Sequence, residues 1–476
     1  MTEVKIDNKT KRTDLTEGPI LSKMILFALP IIATSILQQA FNTADMAILG
    51  RFVGETAYAA VGSTSTIVGL FIEFFLGFSI GANVVISLFV GNKNAEQTSK
   101  AVHTSLCFAL LCGILIAIMG IALIQPLLVL TKVPTELAKD ATIYLSIYFA
   151  GMPIYMLYNF ASATFRSVGK TKLPLYCLTI GGVLNVALNV LFVTVFSMKV
   201  EGVAIATVLS NVLSLILMLI ALKREREDIR FSIKKCKIDK SILGSVIKIG
   251  LPSGLLGSVF SISNLCVQSA VNSLGTKVIS ASSSASNVEI YVQYVGNAFA
   301  QTCATFISQN LGAKKQDRCK KIVVTALGVC IAITFVLSIG VYLLSSTILK
   351  IFTTDEVVIS FARQRMRYTL LFKCVQSVMD IMVGVLQGYG KTFIPASISL
   401  IGVCGFRLVW IFTLFNLNPS VDSLFIIYPI TWAIASICDV VYFIVCYNKT
   451  KREQLTQLQN EQNQISQSQA EMGESV

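Results

Sequence analysis

Apolar runs of about twenty residues recur along the whole chain, and each is long enough to cross a bilayer as a helix. Of the 476 residues, 54% are hydrophobic and 14% are charged, whereas soluble domains carry roughly a quarter of charged residues. Because backbone polar groups in lipid must be satisfied within the segment, these runs predict an all-α polytopic membrane protein. About twelve spans are predicted, at residues 24–49, 57–90, 101–124, 141–163, 173–196, 201–222, 246–271, 278–311, 322–349, 364–388, 393–415 and 424–447.

The net charge of +13 is distributed unevenly between the loops. With the N-terminus placed inside, Lys and Arg concentrate in the inner loops, above all at 223–248. This positive-inside bias predicts a multi-pass protein of the cell membrane with both termini in the cytoplasm. The basic loops are therefore topology signals, with anionic lipid as a lesser alternative partner and no nucleic acid expected. The polar N-terminal segment lacks a convincing cleavage site, so no signal peptide is predicted.

Three blocks of sequence recur in the second half of the chain at a nearly constant offset. The matching blocks are Leu29-Pro30 with Leu251-Pro252, Ser87–Lys93 with Ser308–Lys314, and Val168–Pro174 with Tyr389–Pro395. A constant offset indicates an internal duplication. Because six spans per half is an even number, both halves have the same orientation, which predicts parallel repeats. The expected fold is two six-helix bundles around a central cavity, the architecture of a secondary transporter.

The predicted organisation divides the chain into five parts. They are a cytoplasmic N-terminus at 1–22, an N-terminal six-helix bundle at 23–222, a basic cytoplasmic linker at 223–245, a C-terminal six-helix bundle at 246–448 and a disordered tail at 449–476. The tail is rich in Gln, Ser and Glu, a composition that cannot bury an apolar core.

One carboxylate, Asp45, lies inside the first apolar run. A charge in hydrocarbon costs about 2.5–3.5 kcal/mol on insertion scales, so such a residue is functional by default. The alternative is a simple ion pair with Arg51 near the outer interface. Asn185 and Asn189 are four residues apart and share one helix face. Carboxylate, amide and hydroxyl oxygens suit a hard cation such as Na⁺, whereas a proton needs only the carboxylate. Helix–helix hydrogen bonding is the alternative role for the amides.

Several motifs in order resemble the multidrug and toxic compound extrusion family, in its bacterial branch. They are Asn42-Thr-Ala-Asp45 continuing to Gly54, Ala59–Gly62, Phe165–Pro174, Asn185-x-x-x-Asn189, Gly202–Thr207 and Gln309–Lys314, after a Leu15–Pro19 opening. The resemblance covers roughly residues 15–450. It implies a multidrug exporter that antiports cationic amphipathic compounds against Na⁺ or H⁺ by alternating access. No cofactor other than the coupling ion is expected, and the protein is expected to be a monomer.

The resemblance also implies where the coupling ion binds. By position, the residues are Gln38, Asp45, Tyr144, Asn159, Asn185, Asn189 and Thr207. A Na⁺ ion would be held by Asp45, Asn185, Asn189 and Thr207. Many relatives have Asp at the position of Asn189, so this chain has a single carboxylate in the cluster. The stoichiometry and the identity of the ion therefore stay open.

Two intramembrane acids in the second half are candidates for attracting a cationic substrate. Asp380 corresponds to Asn159 at the repeat offset, and Glu289 lies on the eighth span. Tyr291 and Tyr294 are placed to stack on a flat cation. The alternative is that these acids form structural ion pairs with Lys373 or Arg407. Two further acids in apolar surroundings, Glu73 and Asp439, receive no assigned role.

Other functions are disfavoured by the same sequence. A flippase of a lipid-linked precursor is the main alternative, but acidic candidates in the cavity do not suit a pyrophosphate group. A membrane-embedded enzyme is not expected, because there is no H-E-x-x-H motif and one histidine. The Gly-Lys-Thr triplets at Gly169 and Gly390 lack the first glycine of a phosphate loop, so transport is expected to use an ion gradient. A doubled asymmetric chain also disfavours a channel.

Overall fold

The computed structural model describes residues 14–131 and 133–474, and within these ranges the regular structure is helical. The α-helices are α1 Ile20–Ile48, α2 Glu55–Gly91, α3 Ala95–Leu130, α4 Thr135–Ala150, α5 Met152–Ser167, α6 Lys172–Val190, α7 Val200–Lys223, α8 Lys240–Ser273, α9 Thr276–Gly312, α10 Gln316–Leu343, α11 Ser345–Leu349, α12 Glu356–Thr369, α13 Lys373–Gly388, α14 Phe393–Ser399, α15 Phe406–Trp410, α16 Val421–Phe425 and α17 Ile427–Glu474. In the same ranges, π-helical segments extend or interrupt them at Leu49–Val53, Leu191–Val195, Leu400–Gly405 and Ile411–Phe415.

The predicted all-α membrane architecture is confirmed. In the described ranges, nine helical segments are long and apolar enough to span a membrane, and counting two bent pairs raises the number to eleven. The bent pairs are α4 with α5, at 46°, and α12 with α13, at 47°. The remaining predicted span, 278–311, coincides with the 37-residue helix α9. This helix is more polar because serines and Glu289 lie along it, and much of that polar surface is buried inside the protein.

The backbone repeats itself along with the sequence. Helices α2 and α9 are both 37 residues long, and the two bent pairs occupy corresponding places. Left-handed backbone recurs at the same offset as the sequence blocks: Gly54 with Gly275, Lys93 with Lys314, and Gly169 with Gly390. Lysine in this conformation is uncommon, so its recurrence shows that the helix ends at both turns are built alike.

The two halves meet closely along α2 and α8. A Cβ atom added at Gly77 would lie 2.1 Å from the backbone nitrogen of Gly254, and one at Gly81 would lie 2.4 Å from the carbonyl oxygen of Val246. Only glycine permits this approach, so the sequence fixes the crossing. We call the end of the molecule that carries the linker 224–239 and the turns 92–94 and 313–315 the linker end.

At the linker end, α2 also crosses α9, and side chains bond across the halves. The Asn83 amide donates to Thr305 Oγ1 at 2.8 Å, and Ser308 Oγ donates to the Val84 carbonyl at 2.5 Å. Gly91 and Gly312 leave no room for a side chain, because an added Cβ would lie within 2.1 Å of the opposite helix backbone. The halves are therefore closed against each other at this end.

The first helix of each half is shared between the two halves. Near the linker end, α1 packs with Phe27 edge-on to Phe306 of α9, at 5.4 Å between ring centroids. Its other end packs with residues of α6, α7 and the adjoining π-helical segments. Helix α8, the first helix of the C-terminal half, packs in the opposite direction, because its residue Val246 belongs to the core of the N-terminal half. The domain boundaries predicted at residues 23 and 246 divide the chain by sequence. The packing of α1 and α8 crosses these boundaries.

The linker is docked on α3 by the lone histidine. His103 Nε2 accepts a hydrogen bond from the backbone N–H of Ser232 at 3.1 Å, and its ring lies parallel to that of Phe231. The histidine therefore contacts the loop and is structural.

The tail differs from the prediction of disorder from residue 449, because α17 continues to Glu474. Gln, Glu, Lys and Arg are good helix formers, and no proline interrupts this stretch. Residues 1–13, 132, 475 and 476 lie outside the described residues.

We expect Gly77→Ala to destabilise the protein by about 1–3 kcal/mol, because the added methyl group must force α2 and α8 apart. Thermal unfolding in detergent measures the loss. Gly244→Ala on α8 is the matched control, since a Cβ there meets open space and alanine favours the helix by about 0.5–1 kcal/mol. Equal melting temperatures for Gly77→Ala and the unmodified protein would contradict the close crossing.

Candidate functional site

Asp45 is bonded into the interior of the N-terminal half. It lies on α1 one turn before the π-helical segment Leu49–Val53. Its Oδ1 accepts from the Asn189 amide at 2.5 Å, and its Oδ2 accepts from the Thr207 hydroxyl at 3.3 Å. Within the described residues no ion pair joins it to Arg51, so the alternative of a simple surface pair is wrong for this structure.

Three neighbouring side chains complete a connected cluster around Asp45. The Asn185 amide donates to Thr207 Oγ1 at 3.4 Å, and the Asn189 amide donates to Asn185 Oδ1 at 3.4 Å. Both asparagines are buried, with 4% and 0% of their surface exposed. The spacing of four residues on α6 therefore places both amides on one face, as predicted.

One oxygen of the cluster lacks a hydrogen-bond donor in the part of the chain that the structure describes. Asn189 Oδ1 is buried there and accepts no hydrogen bond. An unsatisfied buried polar atom costs about 1–3 kcal/mol, so this acceptor calls for a positive charge or a donor. Together with the oxygens of Asp45, Asn185 and Thr207, it forms a donor set that fits a Na⁺ ion. One carboxylate balances one positive charge.

Each end of the cluster adjoins a π-helical segment. Leu49–Val53 follows Asp45, and Leu191–Val195 begins two residues after Asn189. Such wide turns are rare and are frequently found at functional sites. Sequence reasoning missed both segments, and no residue pattern in the two stretches signals them.

The other predicted cluster residues differ in their positions. Tyr144 is close enough for the charge of Asp45 to act on it, and its ring stacks on Tyr148 at 5.8 Å. Asn159 donates to the Tyr155 carbonyl of its own helix at 2.9 Å. In the described ranges no hydrogen bond joins Asn159 or Gln38 to Asp45. The neighbour Gln39, which sequence reasoning missed, accepts from the Tyr294 hydroxyl at 3.1 Å and connects α1 to α9.

In the C-terminal half, Glu289 is neutralised by an ion pair. Arg365 Nη2 lies 3.0 Å from Glu289 Oε2, and Arg365 Nε donates to the other oxygen at 3.3 Å. Thr369 donates to the same carboxylate at 2.5 Å, and Arg365 also bonds Ser282. Glu289 therefore forms a structural ion pair, but the partners considered for it, Lys373 and Arg407, were wrong, since the partner is Arg365. Arg365 lies at the start of the predicted span 364–388, and α12 carries it into the bundle.

Asp380 forms no ion pair of hydrogen-bonding distance in the described structure. Its Oδ2 accepts from the Gln293 amide at 3.1 Å, and the charge of Lys373 acts on it from further away. The rings of Tyr291 and Tyr294 meet edge to face at 6.3 Å. Tyr291 is 43% exposed, so an aromatic surface is available beside this half.

The two acids without an assigned role have opposite environments. Glu73 on α2 is exposed and lies against Gly257 of α8, where its carboxylate oxygen is 3.3 Å from an added Cβ. It also acts electrostatically on Tyr155 of α5, so it lies where both halves meet. Asp439 on α17 is fully buried, and neither carboxylate oxygen has a hydrogen-bond partner among the described residues.

Two repeated bundles, shared first helices and a polar cluster at intramembrane depth define a membrane transporter. The family model MatE matches the chain twice, over residues 30–191 and 252–413. The chain belongs to this family, the multidrug and toxic compound extrusion transporters that its motifs resemble. The first match begins at Pro30 and the second at Pro252, the two prolines that the sequence repeat already pairs.

Relatives and solved structures agree with this assignment. The chain is 28% identical to the probable multidrug resistance protein YoeA of Bacillus subtilis, over 91% of this chain and 95% of the relative. It is 21% identical to the multidrug export protein MepA of Staphylococcus haemolyticus, over 79% and 83% of the two chains. A crystal structure of a MATE transporter in its bent conformation superposes with a TM-score of 0.87 at 18% identity, covering 94% of this chain and all of the other. The fold is therefore that of the MATE transporters.

We expect Glu289→Gln to destabilise the protein by about 3–5 kcal/mol, because Arg365 would be left buried without its counter-charge. The double variant Glu289→Gln with Arg365→Met should recover most of that loss. Thermal unfolding in detergent measures both.

The matched control is the exposed pair Lys277–Asp355, whose side chains are 56% and 39% accessible. Asp355→Asn should cost much less, because water screens an exposed ion pair. If Glu289→Gln unfolds no earlier than Asp355→Asn, the Glu289–Arg365 pair is not the buried interaction described above.

Proposed function

We propose that this protein is a secondary active multidrug exporter, which exchanges amphipathic cationic compounds for Na⁺ or H⁺ across the cell membrane. The observation that carries the proposal is the Asp45 cluster, a single carboxylate bonded to Asn189 and Thr207 with an unsatisfied acceptor beside it among the described residues. A charge is costly at this depth, so a site for a coupling ion explains why it is kept.

The orphan oxygen of Asn189 favours Na⁺ over a proton as the coupling ion. A proton would satisfy the carboxylate of Asp45 and leave that acceptor unpaired. When bound, Na⁺ would supply the charge that balances Asp45 and the ligand that Asn189 Oδ1 lacks. Asp45, Asn185, Asn189 and Thr207 would hold it, and all four already form one hydrogen-bonded group.

The closed linker end supports alternating access. The basic linker supports a cytoplasmic location for this end by the positive-inside rule, and with that orientation the arrangement corresponds to a state open to the outside. An ion drives reorientation only if it binds one state more tightly than the other. An ion bound at Asp45 is sensitive to the state of the protein, because the partners of Asp45 lie on α6 and α7, whereas the opposite end of α1 packs against α9.

Glu73 and Asp380 are the acids proposed to attract cationic compounds. Glu73 is exposed where the halves meet, and Asp380 makes no close ion pair within the described ranges. Glu289 is withdrawn from this role because Arg365 holds its carboxylate. The relatives YoeA and MepA carry multidrug names, which supports efflux and disfavours the flippase alternative. A monomer with both termini in the cytoplasm completes the proposal.

In proteoliposomes, Asp45→Asn should reduce gradient-driven export of ethidium by about tenfold or more, because the coupling free energy is lost. Export by the unmodified protein should follow an imposed Na⁺ gradient, and a pH gradient alone should drive little. The fall in fluorescence as ethidium leaves entrapped DNA measures the flux.

Glu136→Gln is the control for removing an acid, since Glu136 is exposed at the start of α4. Export that is unchanged in Asp45→Asn would remove this residue from coupling. Export that follows only the pH gradient would reverse the choice of ion.

A further inference from the structure

The described part of the C-terminal half contains two buried cations that form no ion pair. Arg407 on α15 is 2% exposed, and Lys373 at the start of α13 is 7% exposed. Within the described residues neither side chain forms a hydrogen bond or an ion pair, and Arg407 Nε is buried without a partner. A guanidinium group does not lose its proton in proteins, so Arg407 cannot escape the cost of burial by becoming neutral.

The two cations face adjacent rings of one helix. The Arg407 guanidinium lies 4.1 Å from the centroid of Tyr428, and Lys373 Nζ lies 5.7 Å from that of Trp432. Tyr428 and Trp432 are one turn apart on α17 and meet edge to face at 5.6 Å. A desolvated cation–π contact stabilises a cation by less than the cost of leaving a buried ion without its counter-charge. The rings therefore offset only part of the cost.

No acid among the described residues supplies the missing charge at Arg407. Glu289 is held by Arg365, Asp380 accepts from Gln293, and among the described residues neither acid forms an ion pair with Arg407. Asp439 is eleven residues from Tyr428 on the same helix, which at a rise of about 1.5 Å per residue is roughly 16 Å away. Lys373 and Arg407 also repel each other. An anion between them would reduce both this repulsion and the cost of burying the two cations.

The position of this pair in the repeat adds an independent observation. Tyr428 corresponds to Thr207 at the repeat offset, and Thr207 binds Asp45 in the N-terminal half. The same location in the two bundles therefore carries opposite charge. As far as the structure describes the chain, the N-terminal half has a carboxylate without an ion pair there, and the C-terminal half has two cations without an ion pair.

We propose that Arg407 and Lys373 form a subsite for the carboxylate of a flat aromatic compound, seated beside Tyr428 and Trp432. The planar guanidinium matches a carboxylate with two parallel hydrogen bonds, and the aromatic rings offer a surface for the body of the ligand. Tyr428 is only half-buried, whereas Trp432 is 3% exposed, so a ligand reaches the subsite along the ring of Tyr428. This deepens the proposed export function and rests on it, since it extends the exported compounds to those that carry a carboxylate as well as an amine.

The test compares 4-nitrobenzoate with 4-nitrobenzamide, which differ in the charged group alone. Both nitro compounds quench tryptophan, and the two tryptophans of the chain, Trp410 and Trp432, lie in this region. In purified full-length protein, the benzoate should quench at a concentration about tenfold lower than the amide, the size of one charge-assisted hydrogen bond. Equal midpoints for the two compounds would overturn the proposal.

Two variants test the subsite from separate helices. Arg407→Gln and Lys373→Met should each weaken binding of 4-nitrobenzoate about tenfold and leave that of 4-nitrobenzamide unchanged. Arg407→Lys should weaken binding of 4-nitrobenzoate by a smaller factor, because lysine keeps the positive charge but lacks the planar guanidinium that donates two parallel hydrogen bonds. Lys277→Gln, on the exposed pair with Asp355, is the control for removing a charge. Retention of the full preference for the benzoate in both variants would place the anion elsewhere.

This binding measurement needs no ion gradient, so it separates the subsite from the export proposal. Asp45→Asn should bind 4-nitrobenzoate as the unmodified protein does, even though its export is lost. Unchanged export by Asp45→Asn would overturn the coupling site and leave the subsite standing. Absence of a preference for the benzoate would overturn the subsite and leave the coupling site standing.

Discussion

Helix α1 is held at its two ends by different halves of the molecule, and the rest of the structure depends on this. Near the linker end its side chains pack against α9, while Asp45 is bonded to α6 and α7 at the other end. Pro30 lies between the two contacts and removes one backbone hydrogen bond from the helix. A change in the bonds of Asp45 is thus carried to the interface along one continuous element.

The repeat makes the companion helix α8 a natural comparison. Gly250 and Gly254 let α8 approach α2 closely, whereas the pairing of Pro30 with Pro252 places Ala28 and Ile32 of α1 at the corresponding positions. Larger side chains prevent the same approach to α9, so α1 is the less tightly packed of the two exchanged helices. It is also the one with a carboxylate, because Cys266 occupies the place of Asp45 in α8. The ion cluster and the looser packing therefore occur on the same helix.

Much of this architecture could be predicted from the sequence. The apolar runs were enough to predict the helices, because lipid leaves the backbone few other structures. The nearly constant offset between the repeated blocks was enough to predict the duplication. Within the site, the spacing of Asn185 and Asn189 placed both on the face that meets Asp45. The partner of Glu289 could not be predicted, since Arg365 stands at the edge of a predicted span and its position depends on the bend between α12 and α13. The π-helical turns and the exchange of α1 also depend on tertiary packing, which no local pattern records.

The distribution of buried charge in the two halves now has a common explanation. Duplication produced two equivalent interiors. In the described structure Asp45 of the first and Arg407 of the second are charged groups of opposite sign that form no ion pair, and Asp439 of the second is a further buried acid without a partner. Ion pairing within the protein would remove both costs, as it does for Glu289 and Arg365. That this has not happened at either position argues that the missing charges arrive with ligands. A cation in the first half and a carboxylate in the second would each complete an interior that the chain alone leaves unbalanced.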